Sequence, residues 1–354
     1  MSEDDYVASS IGYWAAQEQY SMHQLLEFVV EAEKAGFTST ITSDHFHPWW
    51  HDNAFGNFTW TWMAAAAERT KKMQFITGVT APIYRYHPAI IAQAFASLDV
   101  LYPGRIGLGL GTGEAMNEAP LGFDWPRARA RLTRTKEAIQ IIRELWRQGT
   151  DHEGFVNFHG EYFHIHNAKL YTPPISKIPI YMAAAGKMAT KIAAKYSDGV
   201  ISYLSLAQVG ELLRNFDTDA KKSGRDLDSL EKIVEYKVSF SEDYEEAFRS
   251  ATFWRATLIK DVFGSDISDP RRLQKRAERE VPDEKIKQTI QITTSIEDCI
   301  KSIEAYFKAG FTRVCIHSTS PDEIKFIQMF SKKVMPHFSI EPHGRKTTAS
   351  SSSS

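Results

Sequence analysis

The strongest constraint on this chain is a pattern that recurs along its length: a short apolar run rich in β-formers, then a longer segment with apolar residues at helical spacing. It starts with IGYWAAQEQY at Ile11 and continues into MHQLLEFVVEAEKAGF, which closes at Gly36. ITSDHFHPWW, from Ile41, leads into TWTWMAAAAERT; QFITGVTAPIYRY leads into a helix that begins near Pro88 and ends before the turn at Pro103-Gly104. RIGLGLGTGEAMNE precedes a helix over 127–147, and IPIYMAAAG, DGVISYL, KIVEYKVSF and RVCIHS complete eight strands. Strands alternating with helices predict parallel pairing through right-handed crossovers. The economical fold is therefore α/β, a closed (β/α)8 TIM barrel, with an open doubly wound sheet as the alternative, because periodicity does not report closure.

Two stretches interrupt the rhythm. Residues 155–171 alternate polar with aromatic around His159-Gly160 and predict a hairpin inserted after the fourth strand. The charged stretch 241–287 predicts helices inserted after the seventh. The barrel domain is expected over 11–340, with a flexible N-terminus over 1–10 and a polar, low-complexity tail over 341–354.

In such a barrel the loops after the strand C-termini build the active site, so the strand ends are read together. They supply Glu18, then Asp44, His45 and Trp49, then Gly78-Val79 and Arg85, then Gly111-Thr112-Gly113-Glu114 with Asn117, then Ala185-Gly186-Lys187, and Tyr203. Carboxylates, an imidazole, an indole and small residues that bare the backbone suit a flat, polar-edged cofactor with a substrate stacked on it. GTGEAM lacks the third glycine of a dinucleotide fingerprint, where Met116 stands, and the bland reading is a turn whose glycines serve geometry alone. AAAGK opens a helix whose free amides could hold a phosphate.

A metal reading competes at His45-Phe46-His47, since H-x-H on a strand points both imidazoles to one face. Strands five and six bring no further histidine, and Pro48 marks His47 as leaving the strand, so no metal is expected. His159, His164 and His166 fall in the aromatic insertion and read as surface and packing. With 42 basic and 44 acidic side chains there is no field to attract nucleic acid or an anionic membrane. No apolar run reaches the ~20 residues of a membrane span. The acidic start MSEDDYVASS lacks a secretory signal, and two cysteines, Cys299 and Cys315, lack disulfide or CxxC spacing, so a reducing cytoplasm is expected.

IGYWAAQEQY, SDHFHPWW, YRYHPAIIAQAFA, LYPGR and GTGEAMNE resemble the coenzyme F420-dependent dehydrogenases of the luciferase-like superfamily, over about residues 11–336. The chain is similar both to the secondary alcohol dehydrogenases and to the glucose-6-phosphate dehydrogenases of that group, and HFHPWWHDNA leans towards the alcohol enzymes. The resemblance implies a homodimer that binds F420 and moves a hydride from the carbinol carbon of an alcohol or sugar derivative to C5 of the deazaflavin. It implies His45, Trp49 and Glu114 around the reacting face, with Glu18 nearby. His45 would accept the hydroxyl proton, Glu114 would protonate the ring near N1, and Trp49 would shield the substrate. Asp44, Thr112, Gly113 and Asn117 would contact cofactor, Gly78-Val79 would be a bulged non-prolyl cis peptide, and Ala185-Gly186 would match a phosphate-holding turn. Where the sugar-phosphate enzymes hold the substrate phosphate with three basic residues, this chain has Leu206, Gly264 and Thr289; Lys260, Arg255 and Lys287 are candidates to replace them. An FMN-dependent monooxygenase on the same barrel and a non-catalytic F420 carrier are the alternatives.

Overall fold

The computed structural model describes residues 10–148 and 154–338. The expected flexible N-terminus, save Ser10, and the expected tail over 341–354 lie outside the described residues. In chain order the elements are β1 (Ser10–Ala15), α1 (Met22–Lys34), β2 (Ser39–Thr42), α2 (Thr59–Arg69), β3 (Gln74–Thr77), α3 (Pro88–Leu101), β4 (Ile106–Leu110), α4 (Ala115–Glu118) and α5 (Ala128–Gln148). The hairpin β5 (Val156–His159) and β6 (His164–Ala168) follows, then β7 (Ile180–Ala183), α6 (Lys187–Tyr196), β8 (Gly199–Ser202), α7 (Leu206–Lys222) and β9 (Glu231–Phe240). Next come α8 (Tyr244–Ala251), α9 (Pro270–Glu280), α10 (Asp283–Thr289), β10 (Gln291–Thr293), α11 (Ile296–Ala309), β11 (Arg313–Ser318) and α12 (Glu323–Lys333).

Eight parallel strands close a ring in the order β1, β2, β3, β4, β7, β8, β9, β11. The open-sheet alternative is removed by two pairings. Gly199 to Ser202 of β8 register with Glu231 to Val234 of β9, and Ser10 to Tyr13 of β1 register with Arg313 to Ile316 of β11. The fold is a (β/α)8 TIM barrel. One strand escaped the sequence reading: β10 pairs in parallel with Val238 to Phe240 at the far end of β9, outside the ring. Three residues between a charged helix and the next helix cap carry no readable alternation.

Local chemistry explains the helices that lock the strands. Ser21 and Gln24 form a capping box at α1, whose Leu25, Leu26, Phe28, Val29 and Ala32 recur at helical spacing and bury against the sheet. Pro88 begins α3, where His87 caps the amide of Ala89. The sheet thus has an outer core against helices and an inner one within the barrel, where Trp14, Ile41, Ile76, Tyr181, Ile201, Ile233 and Cys315 pack. Along β9 the alternation is decisive: Val234, Tyr236 and Val238 belong to the outer core, while Ile233 belongs to the inner. By the same period of two, Glu235 and Lys237 project into the barrel above Ile233.

Candidate active site

Three strand ends bring Glu18, His45 and Glu114 to one cavity of about 560 Å3, a size usual for small-molecule sites. Glu18 is buried; its Oε2 accepts from the Ser43 hydroxyl at 2.6 Å, and its Oε1 faces Nδ1 of His45. An ionised carboxylate only accepts, so the proton of a neutral His45 sits on Nδ1 and Nε2 is left as the acceptor. Nε2 lies 4.0 Å from Oε2 of Glu114. That same Oε2 accepts from Asn117 Nδ2 at 2.9 Å, and Asn117 Oδ1 accepts the amide of Phe46 at 2.7 Å. Asn117 therefore ties the loop after β4 to the loop after β2. Trp49 is buried, edge-on to the His45 ring at 5.7 Å and to Phe263 at 5.5 Å.

Charge coupling within this group is strong. Burial opposes a charge on His45, but the adjacent Glu18 carboxylate, with Glu114 beyond, outweighs burial and raises the imidazole above its ordinary 6.5. Burial likewise opposes charge on Glu18, and the imidazole with the Ser43 hydroxyl overcomes it and lowers that carboxyl.

Beside these side chains, part of the cavity wall is backbone. Gly78 and Val79, joined by a cis peptide bond, line the cavity beside Gly111, Thr112 and Gly113. A Cβ on Gly111 would stand 2.4 Å from a methyl of Val79, and Gly113 holds φ at +69°. These glycines seat Val79 against β4 and turn the chain, so geometry explains both of them.

Other expected residues sit differently. Asp44 does not line the cavity. Its carboxylate is buried against Thr80 Oγ1 at 2.6 Å, Arg85 Nη2 at 3.1 Å and the Tyr86 hydroxyl at 3.3 Å. Asn117 reaches the site only through Glu114. Ala185 and Gly186 are exposed at the N-terminus of α6, outside the cavity lining, where a Cβ on Gly186 would meet nothing. His47 turns its Nδ1 to the Ser268 carbonyl at 2.9 Å, so the two histidines of H-x-H share no focus. The histidines of the hairpin pack on one another, with ring centroids 5.0 and 6.1 Å apart, on its exposed side. Leu206 and Thr289 line the cavity, as does Lys287; Lys260 does not, and Arg255 is committed to Asp283 and the Val281 carbonyl.

Sequence reasoning missed a second charged group. Glu235, Lys237 and His317 line the same cavity with Trp14 and Trp254. Only inward projection within β9 and β11 signals them.

A barrel whose cavity gathers Glu18, His45 and Glu114 beside a backbone wall suits a cofactor-using catalyst of the (β/α)8 class. A family profile described as luciferase-like monooxygenase matches residues 7–313, and the chain belongs to that family. It is 36% identical over 328 residues to an F420-dependent glucose-6-phosphate dehydrogenase of Nakamurella multipartita, covering 92% of this chain and 95% of that protein. The similarity is 36% over 328 residues to the protein of the same name from Microbacterium testaceum, covering 92% and 96%. Among solved structures, an F420-dependent secondary alcohol dehydrogenase in complex with an F420-acetone adduct superposes with a TM-score of 0.88 at 36% identity, covering 94% of this chain and 99% of that one. A coenzyme F420-dependent tetrahydromethanopterin reductase from Methanopyrus kandleri shares the fold, at 21% identity and a TM-score of 0.73.

Proposed function

We propose that this chain is a coenzyme F420-dependent dehydrogenase that oxidises an alcohol at its carbinol carbon. The observation that carries the reading is the Glu18–His45 pair, which leaves Nε2 as the acceptor at the edge of a cavity backed by bare main chain. That cavity fits the coenzyme: Gly78-Val79 and Thr112-Gly113 offer a backbone wall for a flat ring, and the open amide end of α6 at Ala185-Gly186 suits a phosphate on its tail. Oxidised F420, when bound, supplies a hydride acceptor at C5 of its deazaflavin.

The chain's own residues account for the proton. Nε2 of His45 takes the substrate hydroxyl proton as the C–H bond breaks. Glu18 fixes the tautomer through Nδ1 and stabilises the imidazolium that forms. Glu114, 4.0 Å from Nε2, is placed to stabilise the imidazolium and to take the proton from Nε2, and Trp49 covers the imidazole from bulk water. A pure carrier has no use for this relay.

The reading extends to a small-molecule dehydrogenase working in the cytoplasm as a homodimer, with no nucleic-acid or membrane partner. Cys299 and Cys315 are free and buried, in keeping with a reducing compartment. Among the described residues no helix is long and apolar enough to cross a membrane. Anaerobic mixing of the protein with oxidised F420 and neutral alcohols tests the activity. Bleaching of the visible F420 band is expected, and persistence of the band with every alcohol and with glucose 6-phosphate would refute it.

A further inference from the structure

Round the ring, β9 and β11 stand four places from β3 and β4. A substrate lying against a cofactor on the Gly78-Val79 wall therefore meets β9 and β11 on its other side. That side is charged. Glu235 Oε1 accepts from Nδ1 of His317, and Nζ of Lys237 lies 3.4 Å from the same oxygen and 4.7 Å over the Trp254 ring. Both contacts fall on Oε1, and among the described residues no hydrogen bond or ion pair falls on Oε2, which is open to a ligand. Lys237 makes no other ion pair among the described residues, so N–H donors remain for the cavity. Both side chains are only partly buried, at 16% exposure for Lys237 and 12% for Glu235, and both line the cavity.

We propose that Glu235 and Lys237 form a subsite that reads adjacent hydroxyl groups, so that the substrate is a neutral polyol or sugar and not a sugar phosphate. The inference rests on the dehydrogenase reading and deepens it. A hydroxyl is both donor and acceptor, and a carboxylate oxygen beside an ammonium answers both roles on neighbouring carbons. The pair carries no net charge. A phosphate only accepts, and here it would meet the Glu235 carboxylate.

The whole cavity agrees with a neutral ligand. Among the described residues, Glu18, Glu114 and Glu235 line it, against the ammonium groups of Lys237 and Lys287 and the imidazoles of His45 and His317. Lys287 is exposed and lies 4.9 Å over the Phe248 ring. Lys237 holds Glu235 as an anion, at about 2 against burial that pushes the other way, with help from His317. The repulsion towards a phosphate therefore persists across the physiological range.

The test compares F420 reduction with D-glucose, D-sorbitol and myo-inositol, with propan-2-ol, and with glucose 6-phosphate. At least one neutral polyol is expected to exceed both propan-2-ol and glucose 6-phosphate in kcat/KM. In Lys237→Met the ratio of polyol to propan-2-ol kcat/KM is expected to fall about tenfold or more, chiefly through KM, and Lys237→Arg should recover part of it. Preference of the unaltered protein for glucose 6-phosphate or propan-2-ol would overturn the subsite, as would an unchanged ratio in Lys237→Met. Those outcomes leave alcohol oxidation standing. Absence of F420 reduction with every compound would remove the dehydrogenase reading and the subsite together.

Discussion

His45→Ala is expected to lower alcohol turnover by about 10²-fold or more while F420 still binds. The side chain contributes an acceptor atom, Nε2, where the hydroxyl proton must go, and its removal leaves Glu18 and Glu114 without the group between them. Binding survives because the backbone wall at Gly78-Val79 and Thr112-Gly113 is untouched. The pH profile gives the same assignment a sign. Only neutral His45 accepts a proton, and Glu18 holds its pKa above 6.5, so kcat/KM for oxidation should rise through a midpoint above that value. Glu18→Gln removes the charge that raises His45 while burial continues to lower it, so the midpoint should move to lower pH. A midpoint that stays put would assign the limb to another group.

Arg85→Ala should cost about 3–5 kcal/mol of stability, because it strands a buried carboxylate. Asp44 and Arg85 are 2% and 8% exposed, and the guanidinium also donates to the Asp44 carbonyl at 2.9 Å. Thr80 and Tyr86 satisfy hydrogen bonds on Asp44 but do not offset its charge. Denaturant unfolding should show the loss as a lower midpoint, and Asp44→Asn combined with Arg85→Met should recover much of it. The double variant also tests whether Asp44 holds cofactor: a large loss of F420 affinity in a well-folded Asp44→Asn/Arg85→Met protein, where Arg85→Ala retains affinity, would make Asp44 a ligand contact as well as an anchor.

Adjacent residues show where sequence legibility stops. Asp44 and His45 are equally polar and equally placed behind a strand, yet one faces Arg85 in the protein and the other faces the cavity. The turn of the loop after β2 decides this, and no spacing encodes it. Strand ends were legible because a barrel forces them together, which is why Glu18, His45, Trp49 and Glu114 could be grouped from eight β-α units. Glu235, Lys237 and His317 were not, since they lie inside KIVEYKVSF and RVCIHS, where alternation marks two faces without saying which one lines a cavity. RVCIHS itself was legible as the eighth strand, and β11 spans those six residues. The glycines of GTGE were legible as a turn, but their purpose, seating Val79, depends on a contact with the loop after β3.

The most direct measurement is a pair of fluorescence titrations of the purified protein, one with oxidised F420 and one with FMN. Saturable binding of F420, with FMN far weaker, is the result expected of a deazaflavin dehydrogenase. Tight binding of FMN without F420 would contradict it, leave the His45 relay without its hydride acceptor, and place the protein among the oxygen-using monooxygenases.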